Sequence, residues 1–321
     1  MPQVWLLASA QALCASGSFL VVLLGGILGA ELAPVPGLST LPLAAMVLGL
    51  AAGTVPAAFA MRRYGRRPAF LASALLAAVA CCLAAAAIRA QAFWPFCASA
   101  FVLGANNAVV MQYRFAAAES VAPERAGQAI ALVMVGALVA AVVGPEVGVR
   151  SAELLAGSRF AGSFLAAGAL YLAALAVLSR LPRDRPAIVD GRGGGRPLAA
   201  IARQPEFVVA VLAGVVAYAV MSFIMTATPI SMHVVDHHAE HHTKWVIQSH
   251  LLAMYLPALV SGRIVGRFGT RATMAAGTLA MAGCVAVAVA GGWTGLNLAS
   301  APLLAAMLVA IALTRGTRAL P

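Results

Sequence analysis

Residues 41–89 read LPLAAMVLGLAAGTVPAAFAMRRYGRRPAFLASALLAAVACCLAAAAIR. Two apolar runs, 41–61 and 68–88, flank a turn that holds Arg62, Arg63, Arg66 and Arg67. Crossing a bilayer as a helix takes roughly 20 apolar residues, and each run supplies them. Inside lipid only helices and closed barrels satisfy every backbone polar group. Neither run alternates polar with apolar residues, so barrel strands are excluded. The stretch therefore reads as two membrane helices joined by a basic turn.

The rest of the chain repeats this pattern. Of 321 residues, 62% are apolar and 10% are charged. A soluble domain carries about 25% charged residues, so this composition cannot cover a water-exposed surface. The net charge of +11 sits in clusters between apolar runs. That placement reflects membrane topology. A nucleic-acid binder needs a solvated basic face, and no polar stretch here is long enough to build one. Cys14, Cys81, Cys82, Cys97 and Cys284 all fall within apolar runs without metal-ligand spacing, and read as small buried residues.

The fold class expected is all-α: a polytopic membrane protein of about ten transmembrane helices in two pseudo-repeated halves. The spans run near 4–29, 41–61, 68–88, 93–119, 127–148, 160–178, 207–230, 244–261, 272–291 and 296–313. Residues 1–181 make a six-helix N-terminal half, 182–205 a cytoplasmic linker with Gly193, Gly194 and Gly195, and 206–321 a C-terminal half. With the N-terminus in the cytoplasm, sixteen arginines fall inside and three arginines plus Lys244 outside. That asymmetry sets the orientation. The expected location is the cell (inner) membrane, as a multi-pass protein.

An internal repeat supports the count. Arg63-Tyr64-Gly65-Arg66-Arg67 closes the second span, and Arg267-Phe268-Gly269-Thr270-Arg271 follows the eighth. The two turns lie 204 positions apart, and the starts of the first and seventh spans lie about as far apart. Duplicated halves with a substrate site at their interface are a known transporter plan.

The first turn, Ala58-x-x-x-Arg62-Arg63-x-Gly65-Arg66-Arg67, resembles the signature loop of the major facilitator superfamily, Gly-x-x-x-Asp-Arg-x-Gly-Arg-Arg. The second copy reads Gly262-x-x-x-Gly266-Arg267-x-Gly269-Thr270-Arg271. Gly144-Pro145-Glu146-Val147-Gly148 resembles the Gly-Pro-x-x-Gly motif of antiporter members. The resemblance implies alternating access and a central cavity lined by the first, fourth, seventh and eighth spans, among others. It implies conformational gating by Arg62, Arg63, Gly65, Arg66, Arg67, Arg114, Glu119, Gly144, Pro145, Arg267 and Gly269. The signature Asp is replaced by Arg62 and Gly266, so an Arg62–Glu119 pair is expected in its place. The family normally has twelve helices, and the last two are expected to be missing here.

Polar groups inside apolar spans are functional candidates, because lipid makes them costly. Gln11, Asn106, Asn107, Ser222, Thr226 and Gln248 are the substrate-binding candidates. Gln11, Asn106, Asn107, Ser222 and Thr226 also have a plainer reading, as helix-packing residues or ones bonded to their own helix. Arg114 either snorkels to the headgroups or needs a partner inside the leaflet. His250 is the proton-coupling candidate, since imidazole titrates near neutral pH. His233, His237 and His241 share a face if helical, a spacing that suits zinc, but loop histidines are also simply solvated, and no metal site is assigned. Gly25 and Gly29 have the spacing of close helix packing.

The function expected is secondary active transport of a small organic solute or drug-like compound, with proton-coupled efflux as the finer reading. The partners are that solute, protons and the lipid bilayer, with no nucleic acid. No cofactor is expected, and no phosphate-binding loop of the Gly-x-x-x-x-Gly-Lys type is present to drive transport by ATP. The acids form no catalytic cluster, so the chain reads as no enzyme. The alternative is a shortened, non-transporting remnant or a regulatory membrane protein.

Overall fold

The computed structural model describes residues 1–183, 198–229, 232, 239–256 and 258–290. These are helical almost throughout: α1 (Pro2–Leu32), α2 (Leu41–Tyr64), α3 (Arg66–Arg89), α4 (Phe93–Val110), α5 (Tyr113–Glu119), α6 (Ala126–Arg150) and α7 (Ala161–Leu178). The short α8 (Leu198–Ala202) precedes α9 (Pro205–Pro229), α10 (Glu240–Tyr255) and α11 (Ala258–Ala290). Among the described residues six helical segments are long and apolar enough to cross a membrane, and α9 holds a shorter apolar stretch, Phe207–Ser222. The tenth expected span, 296–313, lies outside the described residues.

Burial sorts the helices by role. In α1 the buried residues run continuously from Cys14 to Val21, so the helix is enclosed on every side. In α3, Leu75, Leu76, Val79 and Leu83 are exposed, while Phe70, Ala74, Ala77, Cys81 and Ala84 are buried on the other side. An apolar stripe left outside is what lipid solvates. Trp5, Trp94 and Trp245 are exposed near the first residues of α1, α4 and α10, where amphipathic rings sit at headgroup level.

Lipid offers no hydrophobic drive between helices, so close approach must do the holding. The α1–α6 contact shows how. A Cβ at Gly144 would lie 2.5 Å from the Ser16 carbonyl oxygen, and one at Gly136 would meet the Ala8 carbonyl more closely still. Gly148 faces Leu20. The constant register makes α1 and α6 parallel neighbours at backbone contact. Gly25 and Gly29 are used within the chain, against Leu43, Pro42 and Ser39.

The described parts of Met1–Ile188 and Thr226–Leu259 form one compact unit, and those of Val189–Met225 and Val260–Pro321 a second. The sequence division at the central linker puts α10 with the C-terminal half. The compact units instead group it with α1–α7, because its side chains bond α6 and its Tyr255 ring meets Phe19 of α1. In the second unit, Ala213, Val216 and Val220 of α9 pack with Val285, Met281 and Met274 of α11.

The repeat is visible in the backbone. Gly65 has φ 89° and ψ 165°, and Gly269 has φ 79° and ψ 160°. Positive φ favours glycine, since a Cβ would clash there. Gly65 ends α2 and opens α3, and Gly269 divides α11 in the same way. One sharp joint thus recurs 204 residues on.

Candidate functional site

The arginine-bearing end of the first unit is organised by Gly65. The turn brings Arg66 to the first position of α3, where its Nη2 donates to Glu119 Oε1 at 2.7 Å. Arg67 Nη2 donates to the carbonyl of Ser179, just after α7. Arg63 lies 5.5 Å over the Tyr64 ring. A cavity of about 660 Å³ opens here, with Gln3, Leu7, Arg62, Arg66, Gln112 and Glu119 in its wall. The expected Arg62–Glu119 pair is corrected. Arg62 lies in the last turn of α2, on the near side of the Gly65 joint, and its side chain is exposed. The joint redirects the chain, so the carboxylate meets Arg66.

The fourth expected span is one apolar segment, Phe93–Glu119, made of α4 and α5. At Met111 and Gln112 the regular helix tightens into a turn, with the Gln112 N–H on the Val109 carbonyl, and α5 beyond it carries Arg114 and Glu119. Arg114 is half-buried, its guanidinium carbon 4.9 Å from the Phe115 ring centre. Its Nε is buried without a hydrogen-bond partner among the described residues.

Several candidate residues have structural partners. Asn106 is buried and accepts a 2.6 Å hydrogen bond from Ser73 Oγ, which ties α4 to α3. Asn107 beside it is half-buried. Gln11 is buried on α1 and lies outside the arginine-end cavity. Ser222 and Thr226 are half-buried on α9. Tyr113 and Tyr171 are fully buried; Cys14 Sγ is 3.8 Å from the Tyr113 hydroxyl, and Gly17 makes room for the Tyr171 ring. The first unit is thus cross-tied by small polar bonds between helices.

At the opposite end, α10 lies on α6. Glu146 Oε1 accepts from Lys244 Nζ at 2.7 Å, and Glu146 Oε2 accepts from Arg150 Nε at 2.9 Å. One turn deeper, Gln248 Nε2 donates to the Val142 carbonyl at 3.1 Å. Pro145 has no N–H, so the helical acceptor four residues back, the Ala141 carbonyl, loses its donor. Gln248 docks beside that gap. Further in, the rings of Phe19 and Tyr255 lie 5.8 Å apart at 48°. His250 is half-buried, with Nε2 unpartnered among the described residues.

In the second copy of the turn, Arg267 is exposed and lies 5.7 Å over Phe268. His233, His237 and His238 fall outside the described residues. His241 and His242 are exposed, their rings 4.0 Å apart. Among the described residues, no three His, Cys, Asp or Glu side chains group to hold a metal.

Sequence reasoning did not count Glu146, Lys244, Phe19 or Tyr255 among the site residues. Two of these carried a signal. Lys244 is the chain's single lysine, and Glu146 is an acid inside an apolar span. An acid within such a span is a functional candidate by default. The aromatic pair carried none, because aromatic residues are common in apolar spans.

The helices, the glycine joint and the buried polar ties define a polytopic α-helical membrane protein, and the family match makes it a transporter rather than an enzyme. The chain belongs to the Major Facilitator Superfamily, whose family profile matches residues 6–318. It is similar to "Riboflavin transporter RfnT" of Brucella anthropi, with 42% identity over 292 residues, 89% of this chain and 72% of that protein. It is also similar to two Bacillus subtilis proteins described as uncharacterized MFS-type transporters. YdeG is 29% identical over 288 residues and YddS 27% over 287, each alignment covering 83% of this chain. The chain spans 65% and 64% of those two relatives' lengths, just under two thirds.

Proposed function

We propose that this chain is a secondary transporter of riboflavin or a closely similar flat heteroaromatic solute, working by alternating access. The observation that carries the substrate is the 42% identity to a protein named as a riboflavin transporter. Riboflavin has a flat tricyclic ring with hydrogen-bonding edges and a hydroxylated tail. Aromatic faces favour stacking with such a ring; half-buried Tyr255 supplies one, backed by the buried ring of Phe19. Gln11, Asn107, Ser222 and Thr226 remain the candidates for its polar edges. Asn106 is instead engaged with Ser73 and Gln248 with a backbone carbonyl.

The arginine-bearing turns face the cytoplasm in this reading, supported by the sixteen-to-four sorting of basic residues. Arg66–Glu119 then acts at the inner mouth, where both residues line the cavity. Proton-coupled export is the second reading. It is favoured by Gly144-Pro145, which resembles the antiporter motif, and by the half-buried His250.

The test is transport of radiolabelled riboflavin by the purified chain in proteoliposomes, with a proton gradient imposed in each direction. Saturable riboflavin movement, slowed in Phe19→Ala and Tyr255→Ala, is expected. No movement in either direction, with unlabelled riboflavin failing to protect against heat, sinks the substrate. The gradient that drives accumulation decides between uptake and export.

A further inference from the structure

The cavity at the arginine end of the first unit carries more positive charge in its wall than the wall itself neutralises. Arg62 and Arg66 both line it, against the one carboxylate of Glu119. Arg66 takes that carboxylate, its Nη2 donating to Glu119 Oε1 at 2.7 Å. Among the described residues Arg62 meets no carboxylate, and it is exposed. We infer that this cavity is a binding site for a phosphate group carried on a larger molecule, with Arg62 as its principal ligand.

The sign of the charge turns on residue 62. The signature that this turn resembles carries Asp at that place, and this chain carries Arg62. With Asp the wall would hold two acids against Arg66 and repel an anion. With Arg62 it holds two guanidiniums against one acid, a surplus of one cation. A guanidinium presents two parallel N–H groups that match a pair of phosphate oxygens.

The rest of the wall fits the same ligand. Gln3, Gln112 and Ser120 add neutral donors around the two cations. Helix α3 starts at Arg66, with no side chain capping it and no acid in its first turn. The N–H groups at a helix start add to the field that draws an anion. Leu7, Met61 and Phe70 make an apolar part of the wall.

At about 660 Å³ the cavity exceeds what a bare phosphate ion needs and suits a drug-sized molecule. The ligand chemistry is therefore an amphipathic organic phosphate, its charged end on the arginines and its apolar part against Phe70. Two sources carry it: a phospholipid headgroup and a soluble phosphate ester. An occupant that draws on Arg66 competes with Glu119. That ion pair is partly exposed, with side chains 30% and 67% accessible, so it holds weakly and can yield.

The experiment uses the purified full chain in dodecyl maltoside, a detergent without phosphate. One arm titrates naphthyl phosphate by calorimetry, with naphthol as the uncharged control. The other adds phosphatidylglycerol and counts bound lipid by native mass spectrometry, with diacylglycerol as the control. Saturable binding in at least one arm, absent with the matched control, is expected. Binding in the first arm alone assigns a soluble ester, in the second alone a lipid headgroup, and in both a site that accepts either. Arg62→Gln is expected to weaken binding about 10-fold, and Arg62→Asp to abolish it. Arg63→Gln, next in sequence but outside the wall, is expected to leave it unchanged. No binding in either arm overturns the site, with no variant needed. So does Arg62→Gln that binds as tightly as the native chain, or Arg63→Gln that weakens binding as much as Arg62→Gln. Neither arm uses riboflavin or transport, so failure of the substrate reading and failure of this site are read separately.

Discussion

The glycine seam between α1 and α6 yields a graded prediction. An ordinary carbon-to-carbonyl-oxygen contact is about 3.3 Å. A methyl at Gly144 would sit 2.5 Å from the Ser16 oxygen, so α6 must withdraw by about 0.8 Å. A gap of 0.5–1 Å forfeits roughly a quarter to a half of each contact's attraction. Overpacking of this kind costs about 1–3 kcal/mol. Gly144→Ala also places a side chain before Pro145, where a helical backbone is disfavoured. Gly136→Ala has no such second effect and meets the Ala8 oxygen more closely, so it isolates the contact. At Gly148 the nearest atom is Leu20 Cγ at 3.3 Å, the end of a flexible side chain. At Gly127 nothing lies within 4 Å. The expected order of damage is Gly136→Ala and Gly144→Ala, then Gly148→Ala, with Gly127→Ala neutral. Melting of a fluorescent fusion in detergent, followed by size exclusion, measures it. The first two variants should fall by on the order of 5 °C. If Gly127→Ala is as damaging as Gly136→Ala, backbone contact is not what holds these helices.

Three further outcomes follow from the same geometry. Arg66–Glu119 has side chains 30% and 67% exposed, so Glu119→Gln should change stability by under about 1 kcal/mol while slowing transport; a lowered melting point with unchanged transport would remove its gating role. Asn106→Ala leaves Ser73 Oγ without its partner and should destabilise by about 1–3 kcal/mol with KM unchanged; a KM rise at wild-type stability would return Asn106 to the substrate site. His250→Ala should abolish proton-driven accumulation but leave solute exchange intact, measured in the same vesicles, and unimpaired accumulation would end its coupling role.

Helix, membrane and repeat were all legible from residues alone. Each depends on local facts: runs of apolar residues, the need to satisfy backbone groups in lipid, and glycine at a sharp joint. Gly65 and Gly269 show this best: the two turns matched by residue share a positive φ in the structure. Side-chain partners were not legible. Successive residues on a helix point about 100° apart, so which arginine reaches Glu119 turns on the direction α3 takes after Gly65. The substrate candidates Asn106 and Gln248 are chemically suited to a solute, yet packing gave one to Ser73 and the other to the Val142 carbonyl. Composition and local geometry decided that helices cross a membrane. Helix rotation and depth, properties of the assembled bundle, decided which polar groups tie helices together and which face α10.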